Sequence, residues 1–114
     1  MYILKIDYRE DLPENYTSIA EYPSGILEYY LNGILHREDG PAVIWPNEIG
    51  EYFLKGKFHR VDGPVIIRNG SIQKYYINDE NITEEVEEWI KENNIPYHKN
   101  WNNSHKILFK LTFG

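Results

Sequence analysis

Cysteine is absent from the 114 residues and methionine occurs once. Without a thiol there is no disulfide, no thiolate nucleophile and no cysteine-type zinc site, and a reducing cytoplasm is the expected compartment. Positive charge is scarce as well. Twelve lysines and arginines stand against 18 aspartates and glutamates, a formal net charge of −6. Such a chain has no electrostatic footprint for a nucleic-acid backbone, so direct DNA binding is not expected. The acidity is also too modest for a DNA mimic, which needs long carboxylate stripes. Long apolar runs are missing too. The apolar stretch within residues 1–9 is too short for a signal peptide and no later run spans a bilayer, so no membrane association is expected. The sequons at Asn15 and Asn81 are accordingly expected to carry no glycan.

Aromatic residues, by contrast, make up 15% of the chain, with ten tyrosines and three tryptophans. Together with a hydrophobic share of 41% this supplies a folded core and favours strands, where tyrosine suits half-buried positions. At this length the expectation is a single domain over 1–114, because a second core would have too little chain.

A shift of 23 residues lays the chain over itself without a gap. His36-Arg37-Glu38-Asp39-Gly40-Pro41 falls on His59-Arg60-Val61-Asp62-Gly63-Pro64. Tyr29, Tyr52 and Tyr75 align, as do Tyr30, Phe53 and Tyr76, then Leu31, Leu54 and Ile77, with Ile26, Ile49 and Ile72 upstream. A repeat of this length is one supersecondary element that needs its neighbours to cover its apolar face. Runs 26–31, 49–54 and 72–77 predict one strand per unit, and 42–45 and 64–68 predict the partners. Tight turns after Tyr22, Trp45 and Arg68, with Gly25 and Gly70 free to take positive φ, alternate with turns at Asn32-Gly33 and Lys55-Gly56. Short connections imply an antiparallel meander.

The flanks differ. Residues 1–21 read as an N-terminal cap, in which alternation at Tyr2, Leu4, Ile6 and Tyr8 predicts a strand that forms a hairpin with 17–22 across a polar loop. Residues 22–82 hold the repeats and 83–114 the C-terminal cap. Thr83 is the expected N-cap of an amphipathic helix over 84–93, with Ile82, Val86, Trp89 and Ile90 on one face. Alternation of Ile107, Phe109, Leu111 and Phe113 then predicts a closing strand over 106–113. The fold class is therefore mainly β (β+α): an antiparallel meander of two-stranded repeats, one C-terminal helix and a closing strand.

Residues 29–42 resemble the Tyr-x-x-Asn-Gly-x-x-His-Arg-x-Asp-Gly-Pro-Ala repeat of MORN-like proteins. The copy from Tyr52 to Val65 keeps the pattern, with Lys55 for the Asn and Val65 for the Ala, and the third leaves it after Asn78. The resemblance covers about residues 22–83. It implies a meander of two-stranded units and a binding or scaffolding role in proteins of phages, giant viruses and bacteria, with no defined reaction.

The residues themselves give two readings of the repeated loop. In one, His36, Arg37, His59 and Arg60 form a ledge of donors for phosphate or carboxylate. In the other they are staples: Arg37 pairs with Asp39 inside its loop, His36 bonds across to the neighbouring turn, and Asp39-Gly40-Pro41 and Asp62-Gly63-Pro64 are structural turns. The second is preferred, because a device present in every unit is what makes the unit fold. Tyr30, Phe53 and Tyr76 are candidate aromatic contacts on the sheet, and Trp45 and Trp101 candidate anchors at a binding rim. His98 and His105 lack a metal-ligand spacing, and the glutamates at 84, 85, 87 and 88 suit a solvated helix face. No catalytic motif is visible, no cofactor is expected and the chain is read as a non-enzyme. The expectation is a phage-encoded cytoplasmic binding protein that captures a host protein or a small nucleotide-like signal to block host defence, with homo-oligomerisation as a further expectation. The alternatives are an antitoxin or immunity protein and a structural repeat scaffold.

Overall fold

Asn32-Gly33, Lys55-Gly56 and Asn78-Asp79 occupy the same place in successive units, and each pair has positive φ at both residues (51° and 81°, 51° and 81°, 48° and 68°). Two consecutive left-handed residues make a type I′ turn, whose twist matches that of the strands it joins. The computed structural model describes residues 3–46, 50–68 and 72–114. Among them run β1 (Ile3–Lys5), β2 (Ser18–Glu21), β3 (Leu27–Leu31), β4 (Ile34–Leu35), β5 (Val43–Ile44), β6 (Gly50–Glu51), β7 (Phe53–Leu54), β8 (Lys57–Phe58), β9 (Ile66–Arg68), β10 (Ile72–Lys74), β11 (Tyr76–Ile77), β12 (Glu80–Asn81), α1 (Thr83–Glu92) and α2 (Asn103–Phe113). The protein is β+α, with strands in hairpin-like pairs.

The main sheet has the order β1-β2-β3-β5-β6-β9-β10, with β4 on β3, while β7-β8 and β11-β12 are separate pairs. The strands expected at 49–54 and 72–77 are thus each broken, at Tyr52 and Tyr75. The cause is a change of partner. The amides of Tyr29 and Tyr52 donate to the carbonyls of Ala42 and Val65 (both 2.7 Å), whereas their own carbonyls take the amides of His36 and His59. Ahead of this tyrosine the chain belongs to the sheet, and behind it to its own hairpin.

Those hairpins stack. The Gly56 amide donates to the carbonyl of Leu35 and the Asp79 amide to that of Phe58 (2.8 Å each), and at the start of the stack Gly33 donates to Tyr16. Each I′ turn is therefore fixed by the unit before it, as an array of non-self-sufficient units requires.

Three expectations are corrected. β1 pairs with β2 in parallel, not as a hairpin. The connection of residues 6–17, with a 3-10 turn at Arg9–Asp11, is long enough for a crossover and carries the chain back to start in the same direction. The segment expected as a closing strand is α2. Phe109 and Phe113 are four apart, so the alternation that suggests a strand also fits one helix face, and Asn102 and His105 cap it reciprocally, each side chain accepting the other's amide. Thr83 does not cap α1. Ile82 holds the cap position without a side-chain bond, and the Thr83 hydroxyl instead accepts the Tyr75 amide at 3.0 Å. Gly25 closes its turn with φ 91°, whereas Gly70 and the tip at 47–49 lie outside the described residues.

Buried apolar side chains form two clusters toward the two ends of the sheet. Tyr16, Ala20 and Tyr30 hold one, with Leu4, Ile6, Leu12, Tyr22 and Leu35 packed around them. Tyr75, Val86, Trp89, Trp101 and Phe109 hold the other, with Ile82, Ile90, Ile95 and Phe113. The principal extents are 47 × 25 × 23 Å. No helix among the described residues is long and apolar enough to cross a membrane.

Candidate functional site

Each His-Arg loop is braced from within by its arginine. Arg37 donates from Nε to Asp39 (2.8 Å) and from Nη1 to the Pro41 carbonyl (3.2 Å), and its guanidinium lies 4.2 Å from the Tyr29 ring centre. Arg60 repeats this with Asp62 (2.7 Å), Pro64 (2.9 Å) and Tyr52 (4.0 Å). Such a stacked, forked cation ties its loop together through charged hydrogen bonds and a ring contact. A Cβ at Gly40 would come within 2.9 Å of the Arg37 guanidinium carbon, and one at Gly63 would meet the His98 ring first, 2.2 Å from Nε2, and then the Arg60 guanidinium carbon at 2.9 Å. The hydrogen bond from Arg37, reinforced by its charge, also holds the Asp39 carboxyl below its usual range.

The histidines reach outward to the next unit. His36 Nδ1 accepts the Lys55 amide at 2.8 Å and His59 Nδ1 accepts that of Asn78 at 3.0 Å. Thr17 Oγ1 does the same for Asn32 at 2.8 Å. Each bond secures the first left-handed residue of an I′ turn. A groove of about 460 Å³ lies between the loops, lined by Arg37, Asp39, Tyr52, His59 and Arg60 among others, but its cations are already paired with Asp39 and Asp62.

The aromatic candidates separate. Tyr30 is buried, with its hydroxyl donating to Glu28. Phe53 and Tyr76 are half-buried and bridged by Phe58, at ring distances of 4.4 and 5.1 Å. Trp45 is exposed beside the undescribed tip. Trp101 is not at a rim. It sits in the core between Tyr75, Trp89 and Phe109, its indole donating to the Pro96 carbonyl at 2.9 Å. His105 is the helix cap already described. His98 packs on Trp101, with Nε2 3.1 Å from the Asp62 carbonyl. Burial, aided by the charge of Arg60, pushes the His98 pKa below its ordinary value. No group of three or more His, Asp or Glu side chains that could hold a metal occurs among the described residues.

Two features had no place among the sequence candidates. The first is Glu28, buried on β3, which accepts from Arg9, from Tyr22 (2.5 Å) and from Tyr30 (2.7 Å). Burial raises its pKa, but those three donors outweigh burial and hold it below the usual value. Fully partnered in this way, it is a structural carboxylate. The second is a cleft of about 500 Å³ at the helical end, between β10, α1 and residues 95–98, lined by Tyr75, Ile90, Lys91, Ile95, Pro96 and Tyr97 among others. It exists because α1 ends in a Schellman turn. Asn94 is left-handed (φ 51°) and the Ile95 amide returns to the Ile90 carbonyl at 3.0 Å, which brings Ile95 and Pro96 back toward the sheet. Burial raises the Tyr75 hydroxyl pKa to about 12, so its proton stays in place to bond Gln73 at 3.1 Å.

Comparison of the chain with protein-family models, with curated proteins and with solved structures gave no match. The likeness to MORN-like repeats rests on the repeat residues themselves.

Proposed function

We propose that this chain is a non-enzymatic, phage-encoded binding protein, phages being one of the sources of the repeats it resembles, which captures a host protein and so blocks host defence. The cleft at the helical end carries the reading. Its volume falls within the usual range for a recognition site, and its walls are apolar and aromatic with a few polar groups at the rim. The His-Arg loops, in contrast, have each arginine bonded through Nε and Nη1 to its own loop, which suits a frame better than a ligand ledge.

Native mass spectrometry of the tagged protein purified from a bacterial host tests this. A stoichiometric host protein is expected with the unmodified chain and is expected to be lost from the Lys91→Trp variant, which fills the cleft from an exposed rim position. A retained nucleotide would replace the protein-partner reading with the signal-capture reading. Retention of nothing, by folded protein, would overturn both.

A further inference from the structure

The first two units cover the outer edge of each tyrosine-bearing strand with the next strand. Leu27 pairs with Ile44, and Gly50 pairs with Ile67. Gln73 is the third member of that column, 23 residues beyond Gly50, and the residue 23 beyond Ile67 is Ile90. Ile90 lies on α1, so the strand that the repeat calls for is absent and β10 ends the sheet.

The orientation of the edge follows from the ladder. The Val65 amide donates to the Lys74 carbonyl at 2.7 Å, so the backbone groups of Lys74 face β9. By alternation those of its neighbour Gln73 face away from β9, toward the cleft. The Tyr75 amide faces the same way and is taken by the Thr83 hydroxyl. An open strand edge thus borders a cleft that α1 also lines, with Ile90, Ile95 and Pro96 as its aliphatic lining. The rim carries both signs, Lys74 and Lys91 with Glu87. Charge therefore selects little there, and backbone pairing with apolar burial selects more.

We propose that this slot receives an extended segment of a partner protein, which adds to β10 as the missing strand and seats one apolar side chain against Ile90, Ile95 and Pro96. The mode is strand addition, in which main-chain bonds supply affinity and a pocket for alternate side chains supplies specificity. The inference rests on the binding-protein reading above and names the chemistry of the partner.

The test selects a displayed library of random peptides on the full-length protein and maps the enriched peptides by backbone amide NMR. Enriched sequences should share one large aliphatic or aromatic residue in an otherwise unstructured segment. Their binding should shift the amides of Gln73, Lys74, Ile90 and residues 95–98. N-methylation of one peptide backbone amide beside the anchor should weaken binding about tenfold or more, the worth of a good hydrogen bond. Gln73→Pro should do the same without unfolding the sheet, because proline is tolerated where the amide faces away from a strand partner. Lys91→Trp, outside the strand, keeps the test valid if Gln73→Pro fails to fold. Indifference to N-methylation, shifts confined to α2 or the His-Arg loops, or self-association that shifts these same amides in the absence of peptide would overturn strand addition. If Gln73→Pro still captures the host protein, strand addition falls while the binding reading stands. If the unmodified protein captures none, the binding reading itself falls.

Discussion

Tyr29 and Tyr52 on one side, and Tyr75 on the other, are the same residue of the repeat under different covers. The first two lie beneath the guanidinium groups of Arg37 and Arg60. The third, where the aligned position is Thr83, is packed against Trp101 and Phe109 and is 2% exposed. An array can cover a half-buried ring with one charged, stacked side chain as long as another unit follows. At its end no further unit covers the face, so the chain spends 32 residues, 83–114, on two helices and a compact aromatic cluster. The same end leaves the outer edge of β10 without a strand partner, and there the candidate site arises. Repetition yields frame, and its interruption yields a cleft.

The comparison breaks most severely at the helical cluster. Phe109→Ala removes a ring that touches Tyr75, Trp89, Trp101 and Phe113 and should cost about 3–5 kcal/mol in urea denaturation. A loss below about 1 kcal/mol would mean that α2 is not part of the core. Arg60→Ala should cost about 1–3 kcal/mol by losing the Asp62 and Pro64 bonds and the cover of Tyr52. Arg60→Lys should recover only part, since lysine keeps the charge without the fork.

The two ends should also differ with pH. His98 has a lowered pKa in the fold, so the unfolded chain binds its proton first, and stability is lost as pH falls from about 6.5 through the lowered folded value. Glu28 is likewise lowered, so its contribution is complete above about 4.3 and is lost at lower pH. Melting temperature against pH should therefore decline in two stages, and His98→Gln should remove the upper one only. A profile flat from pH 7 to about 5 would contradict the half-buried, neutral histidine. The smallest effect is a gain: Lys55→Asn relieves a bulky residue held at φ 51° and should stabilise by about 0.5–1 kcal/mol.

How much of this was legible in the sequence varies with the kind of signal. The register of the repeat, the Asn-Gly turns, the His36 bond to the neighbouring turn and the buried face of α1 were all readable, because each is a local pattern with one geometric solution. Alternation at residues 3–6 marks a strand but not the direction of its partner, so the parallel pairing of β1 stayed hidden. Alternation at 107–113 coincides with a four-residue spacing, and the deciding cue was the Asn102–His105 cap. Trp101 sits beside a turn in sequence, yet aromatic contacts from three elements bury it, and nothing local announces that. Glu28 was traceable in principle. It aligns with Glu51 and Lys74, and a carboxylate in so aromatic a strand needs donors such as Tyr22, Tyr30 and Arg9.

The central claim is that the repeated loops build the frame and that recognition belongs to the interrupted end. The direct measurement pairs thermal denaturation with host-protein capture for an Arg37→Lys, Arg60→Lys double variant. The account predicts a lower melting temperature and unchanged capture by the folded protein. An unchanged melting temperature with capture abolished would contradict it and return the binding site to the loops.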